Sequence, residues 1–325
     1  MKPAAPVTKM RIFAKVMETG LLVRTAGDHL YVWGFQDGRE WPAVLRGKHR
    51  LVDSPYTSPV AVGDKVMGIV EGERFVIHDW EPRRNWLIRL DPHNPHRIQI
   101  LCANVDKAYL LVTVEKPFTP LRYIDGFLVM GEAYDVQTGL LFTKADMALS
   151  SKAATRKAYL MDLYRSLGYE VREVSSLRGD GIEALKEALA GRVTAVMGLS
   201  GAGKSSLINA LIPGLNLRTQ PLVRLTQKGR HTTTYTALYD LPFGGAIIDT
   251  PGFGELVPAG LARTELSQYF PEMRSLLSDC KYNNCLHLDE PGCAVRAAVE
   301  AGKIAHSRYH TYLALFERLP ATLRQ

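Results

Sequence analysis

The run Gly198-Leu199-Ser200-Gly201-Ala202-Gly203-Lys204-Ser205 has the pattern G-x-x-x-x-G-K-[ST] and lies past the middle of a 325-residue chain. Such a loop wraps a phosphate with converging backbone N–H groups, so it needs a buried strand leading in and a helix leading out. The flanks comply: Arg192 to Met197 reads as a short apolar strand, and Ser205 to Leu211 as a helix with one apolar face. Lys204 supplies a point charge and Ser205 a hydroxyl for Mg2+. Gly198, Leu199, Ser200, Gly201, Ala202, Gly203 and Ser206 complete the expected phosphate-binding set. The scaffold this imposes is a doubly wound α/β sheet.

A loop of this kind needs a second acid for the metal and a group that senses the terminal phosphate. Asp249-Thr250-Pro251-Gly252 follows the apolar run Gly245 to Ile248 and offers both: Asp249 for Mg2+, and the Gly252 N–H for the phosphate, with no Cβ in the way. Between loop and acid lies Gln227-Lys228-Gly229-Arg230-His231-Thr232-Thr233-Thr234, placed where a switch segment supplies a further hydroxyl to the metal. Thr233 is the expected ligand, with Thr232 the alternative. From Asn216 to Tyr239 there is no acidic residue, whereas Arg218, Arg224, Lys228 and Arg230 are all present. Such a segment suits a phosphate or RNA.

Guanine presents N1–H and its N2 amine as adjacent donors, which one carboxylate can accept. Thr143-Lys144-Ala145-Asp146 ends the apolar run Gly139 to Phe142, so Asp146 is the expected base reader, with Thr143 and Lys144 beside it. About 30 residues on, a second strand ends in Ser175-Ser176-Leu177, a spacing that fits one βαβ unit. Thr-Lys-x-Asp resembles the N-K-x-D motif of GTPases, and Ser175-Ser176 the loop whose N–H groups contact guanine O6.

These motifs run base reader, base loop, phosphate loop, switch, Asp-x-x-Gly, the reverse of the usual order of halves. In this the chain resembles the circularly permuted GTPases of the YjeQ/RsgA group along nearly its whole length, and Gly-Arg-His-Thr-Thr-Thr matches that group's switch closely. The resemblance implies a multi-domain α/β protein: an N-terminal oligonucleotide-binding (OB-fold) β-barrel, a central permuted P-loop GTPase, and a C-terminal, mainly helical zinc-binding domain. The expected boundaries are 1–81 for the barrel, 82–98 for a basic linker, 99–255 for the GTPase domain and 256–325 for the zinc domain. It also implies a factor in late maturation of the small (30S) ribosomal subunit, bound to rRNA, with ribosome-stimulated hydrolysis of GTP to GDP releasing it.

Cys280, Cys285, His287 and Cys293 form a Cys-x4-Cys-x-His-x5-Cys cluster within one short loop. Three thiolates and an imidazole suit tetrahedral Zn2+. Four protein ligands leave no open position, so the metal is expected to be structural. Cys102 sits apart in an apolar run as a core thiol. Residues 294–319 read as helices, with Val295, Ala298 and Val299 on one apolar face, Tyr309, Tyr312, Leu313 and Phe316 on another, and Arg296, Lys303, His306, Arg308, His310 and Arg318 on their surface.

The first 80 residues carry alternating runs near Arg11 to Val16, Leu21 to Arg24, His29 to Phe35, Trp41 to Leu45, Lys65 to Val70 and Arg74 to Trp80, most of them separated by glycine turns. That spacing predicts a small barrel. Tyr31, Trp33 and Phe35 share one face and are expected in its core, with a base-stacking platform as the alternative. The net charge of +7 favours a polyanionic partner. No apolar stretch is long enough to span a bilayer and no signal peptide opens the chain; with metal-type cysteine spacing, a cytoplasmic monomer is expected.

Hydrolysis itself needs an oriented water. Ras-type GTPases carry glutamine just after Asp-x-x-Gly, where this chain has Phe253, and a phenyl ring cannot accept a proton from water. His231 is the candidate in its place, alongside Lys204 and Gly252 as the other catalytic groups. Thr143 in place of Asn removes an amide that would brace the phosphate loop. Gly201 stands where potassium-activated GTPases have asparagine, so no strong potassium dependence is expected. The rival readings are a permuted GTPase acting on the large subunit and a P-loop kinase.

Overall fold

The computed structural model describes residues 17–47, 54–92, 94, 96–217, 235–252 and 254–321. Five strands make the N-terminal unit: β1 (Glu18–Ala26), β2 (His29–Gly34), β3 (Glu40–Leu45), β4 (Lys65–Glu71) and β5 (Arg74–Trp80). Their pairing order β1-β2-β3-β5-β4 closes through a β1–β4 ladder, so the sheet curls into a barrel. Alternation sets its interior, with Leu22, Leu30, Val32, Val66, Phe75 and Ile77 packed inside. The expected run Arg11 to Val16 lies outside the described residues.

The alternation also corrects the aromatic expectation. Val32 takes the inward position, leaving Trp33 43% and Phe35 51% exposed, while half-buried Tyr31 lies under the Arg24 guanidinium at 4.0 Å. These rings are a surface feature rather than core.

Strands β6 (Trp86–Leu90) and β7 (Ile98–Ala103) form a hairpin where a linker is expected. Arg83 clasps the buried Asp64 of the barrel with two bonds of 2.7 Å, fixing the start of that segment.

The central domain alternates strands and helices: β8 (Lys107–Val112), α1 (Leu121–Ala133), β9 (Gln137–Phe142), α2 (Ser151–Ser166), β10 (Glu170–Glu173), α3 (Ile182–Leu189), β11 (Val193–Gly198), α4 (Lys204–Leu211), β12 (Tyr235–Asp240) and β13 (Ala246–Asp249). The order β10-β9-β8-β11-β13 is parallel throughout, with β12 antiparallel on β13. Period-two alternation buries both faces. Ala108, Leu110 and Val112 face α1 and α2, while Tyr109 and Leu111 face α3 and α4. The strand order reverses between β8 and β11, which opens the crevice where doubly wound sheets bind ligands.

The C-terminal unit holds a 3-10 segment at Arg263–Tyr269, α5 (Pro271–Arg274), α6 (Ala294–Glu300) and α7 (His306–Arg318). Val295, Ala298 and Val299 of α6 pack with Tyr312 and Phe316 of α7, as the apolar spacing predicts; Leu315 joins them in the core, while Tyr309 and Leu313 are only partly buried against it. Arg308 departs from its expected surface position. It is 1% exposed and bonds Asp125 of α1 at 2.7 Å and Glu272 of α5 at 2.6 Å. Position 308 shares the α7 stripe with Tyr312 and Leu315, so a guanidinium there must be buried and paired. Among the described residues, no helix is long and apolar enough to cross a membrane.

Candidate nucleotide site and metal cluster

The phosphate loop turns out of β11 and into α4 at the sheet's reversal point. Gly203 caps α4 at φ 101°, a backbone conformation that a side chain strains, and so aims the first-turn N–H groups into the loop. The Lys204 ammonium folds over the loop onto the Gly198 carbonyl at 2.9 Å. Burial lowers its pKa, opposed by the charge of Asp249. Ser205 and Ser206 follow in the first turn of the same helix.

Asp249 ends β13 beside the loop. Burial pushes its carboxyl up to about 6, against the pull of Lys204, and its Oδ1 is buried without a hydrogen-bond partner. A buried acceptor with nothing to bond is costly unless a cation or an ordered water satisfies it, so this position fits a water-linked divalent ion. Thr250 locks the turn, its hydroxyl donating to the Val196 carbonyl at 2.9 Å. Gly252 lies directly on the phosphate loop: a Cβ there would sit 2.8 Å from the Ser200 nitrogen. Only glycine allows this approach.

The base-side residues arrive on β9 and on the loop after β10. Ser175, fully buried, donates its hydroxyl to Asp146 at 2.6 Å, and that bond is the main reason the Asp146 carboxyl is held below its ordinary range. Arg178 donates to the Ala145 carbonyl at 3.0 Å and steadies the same turn. Lys144 sits at φ 61° with its ammonium on the Lys116 carbonyl. Ser176 follows Ser175 in the turn, and Leu177 beside it is 83% exposed.

Thr143 corrects an expectation. Its hydroxyl donates to the Ala202 carbonyl at 2.7 Å, so the base turn and the phosphate loop are braced together after all. A shorter side chain makes the bond that an asparagine amide is expected to make. The only sequence signal was the hydroxyl itself; which carbonyl it meets depends on β9 lying beside β8 in the sheet.

Cys280, Cys285, His287 and Cys293 bring one ligand atom each to within 4.8 Å of one another. His287 Nδ1 lies 3.7 Å from the Cys280 sulfur and 3.4 Å from that of Cys293. With Zn–S about 2.3 Å and Zn–N about 2.0 Å, tetrahedral geometry sets nitrogen and sulfur about 3.5 Å apart, so the four residues fit zinc. Burial lowers the imidazole pKa and pushes the Cys285 thiol up to about 12, so without a cation the cluster favours neutral groups. The loop is held from outside: Tyr309 and Tyr312 of α7 donate to the His287 and Leu286 carbonyls, and Glu290 accepts from the Leu286 and Leu288 N–H groups. Cys293 also caps α6, its sulfur accepting from the Arg296 N–H.

A family model described as RsgA GTPase matches residues 80–257. The chain belongs to the RsgA GTPase family. It is 38% identical over 313 residues to the small ribosomal subunit biogenesis GTPase RsgA of Flavobacterium psychrophilum, covering 94% of each chain. To the RsgA of Bacteroides fragilis it is 41% identical over 300 residues, covering 92% of this chain and 96% of that one. Among solved structures it resembles YjeQ from Thermotoga maritima, with a TM-score of 0.69 at 35% identity over 94% of this chain and 99% of the other. It also resembles YloQ, described as a circularly permuted GTPase, with a TM-score of 0.65 at 28% identity over 97% and 98%. The barrel, the doubly wound sheet and the helical C-terminus bearing the cysteine cluster are thus an RsgA-type architecture. Of the expected RsgA site residues, those of the base turn, phosphate loop, Asp249 and Gly252 meet at one crevice. His231, Thr232, Thr233 and Phe253 lie outside the described residues.

Proposed function

We propose that the protein is a GTPase that binds the small ribosomal subunit in the cytoplasm, acts as a monomer late in that subunit's maturation, and is released when ribosome-stimulated hydrolysis converts GTP to GDP and phosphate. Family membership supports hydrolysis of GTP and a role in small-subunit biogenesis. One observation carries the nucleotide reading: the Thr143 bond to Ala202 joins the turn bearing Asp146 to the phosphate loop, so base and phosphates are held by one rigid unit.

In this reading Asp146 accepts from guanine N1–H and N2, while the Ser175 and Ser176 backbone approaches O6. The loop from Gly198 to Ser206 holds the phosphates, with Lys204 between β and γ. Ser205, Thr233 and Asp249 would hold Mg2+, which when bound would supply charge neutralisation on the phosphates. Gly252 presents its N–H to the γ-phosphate and His231 orients the attacking water. Cys280, Cys285, His287 and Cys293 hold one structural Zn2+. The surface rings Trp33 and Phe35, with Arg24 over Tyr31, give the barrel a face suited to stacking on unpaired rRNA bases.

Asp146→Asn tests the reading directly. The amide presents a donor where guanine also has one, so the variant should lose GTP turnover and gain turnover of XTP, measured as phosphate release. A variant that keeps its preference for GTP removes Asp146 from this role. Co-sedimentation with separated subunits distinguishes the small from the large; phosphate release without any acceptor excludes a kinase.

A further inference from the structure

Residues 255–258, a few positions past Gly252, are anchored from three sides. Arg89 of β6, 5% exposed, donates from Nη1 to the Glu255 carbonyl at 2.9 Å, and its Nε and Nη2 both bond the Gln99 side-chain oxygen, at 3.0 and 2.8 Å, across the hairpin. The next N–H, Leu90, donates to the Val257 carbonyl at 3.0 Å, and Arg89 forms an antiparallel bridge with Pro258. The Glu255 carboxylate meets the other side, taking Arg318 of α7 at 2.6 and 3.3 Å. Leu256 is buried in the core against α1, where its carbonyl leaves no room for a Cβ on Gly126.

A buried guanidinium is expensive to desolvate, and an aliphatic side chain would pack a hairpin at lower cost. Arg89 gives what an aliphatic cannot: a planar fork that fixes Gln99 on one edge and the Glu255 carbonyl on the other. That carbonyl lies three residues past Gly252, the glycine seated on the phosphate loop.

We infer that Arg89 is a positioning residue for GTP hydrolysis, holding the Glu255 carbonyl so that Gly252 stays seated where the γ-phosphate would be met. The inference rests on the GTPase reading above. Among the described residues the Arg89 guanidinium bonds Gln99 and Glu255 rather than the base turn or the phosphate loop, so it acts on turnover and leaves the binding of GDP in place. The same anchor fixes where a displacement of Gly252 can go: through Glu255 into α7 by way of Arg318, and into the hairpin by way of Arg89.

The test measures kcat and KM for GTP, Kd for GDP and the thermal midpoint of the full chain carrying Arg89→Met, Arg89→Lys or Gln99→Ala. Arg89→Met should lower kcat about tenfold while KM and the GDP Kd stay within about twofold of the unsubstituted chain. Arg89→Lys, able to reach one acceptor but not both, should recover part of that loss. Gln99→Ala leaves the guanidinium in place but unsupported on one edge, and should lower kcat by a smaller factor with KM again unmoved. A folded Arg89→Met with unchanged kcat overturns the inference. So does a loss of kcat that only tracks a fallen thermal midpoint and weakened GDP binding. If Arg89→Met does not fold, an unchanged kcat in Gln99→Ala decides against it. Failure of the unsubstituted chain to hydrolyse GTP would instead refute the underlying reading.

Discussion

Two hydroxyls set the geometry of the base turn, and each makes a separable prediction. Thr143 joins that turn to the phosphate loop through the Ala202 carbonyl, and Ala202 is fully buried. Thr143→Val keeps the shape and strands the acceptor, which costs about 1–3 kcal/mol. GDP affinity by titration should fall at least about fivefold, and Thr143→Ser should restore most of it. Ser175 acts on charge. Its hydroxyl favours ionised Asp146, whose carboxyl is held below its ordinary value of 3.8. For a depressed acid the charged form persists as pH falls, and recognition that needs it is lost only as pH drops through the folded value. Ser175→Ala raises that value, so guanosine nucleotide affinity measured down an acid series should begin to fail at a higher pH than in the unsubstituted protein. The residue types at these positions were readable in advance because the chemistry demands them. Their partners were not: Ser175 meets Asp146, and Thr143 meets Ala202, only after strands distant in sequence are laid side by side.

Helix α7 shows how one element can serve packing and coupling at once. Its apolar stripe was legible from spacing, but Arg308 within it was read as a surface charge, since a cation is buried only when partners from elsewhere arrive. Here they come from α1 and α5: Asp125, itself fully buried and also bonded by Tyr164 at 2.6 Å, and Glu272. Removing the cation leaves two carboxylates without their counter-charge. Arg308→Met should therefore cost about 3–5 kcal/mol in denaturant unfolding, which ranks it among the most damaging single changes in the C-terminal unit. A measured loss below about 1 kcal/mol would show that the pair is replaceable. The cysteine loop behaves differently, because its spacing alone announced a metal. Its braces Tyr309 and Tyr312 sit on α7, so chelating the metal or making Cys285→Ser should lower the thermal midpoint and loosen α7 together, read by hydrogen exchange across 306–318. Loss confined to the loop would contradict that coupling.

At the scale of the molecule, the barrel and the α/β domain share one eleven-stranded sheet. Strand β1, still paired with β2, runs past its ladder with β4 and offers that edge to β12, matching Arg24, Thr25 and Ala26 to Ala237, Thr236 and Tyr235. Period and turn residues declared the barrel strands β1 to β5 and, in the central domain, β9, β10, β11 and β13 but not β8 or β12, and motif order declared the permutation. The junction was illegible because nothing in the sequence of a barrel strand marks that its end will extend the edge of another sheet. The hairpin β6–β7 hid for a related reason: its prolines and arginines look like a linker until Arg89 is seen to hold the chain beyond Gly252. Permutation accounts for much of this plan. It places the phosphate-sensing turn immediately before the C-terminal unit, so Glu255 stands between nucleotide, hairpin and α7. The central claim is that this site hydrolyses GTP under control of the small ribosomal subunit. It is tested most directly by the rate of phosphate release from GTP with and without purified small subunits, with large subunits as the comparison. Slow turnover alone and marked acceleration by small subunits are expected, with neither seen in Asp146→Asn given GTP. Turnover that small subunits leave unchanged, or that large subunits raise equally, would contradict it.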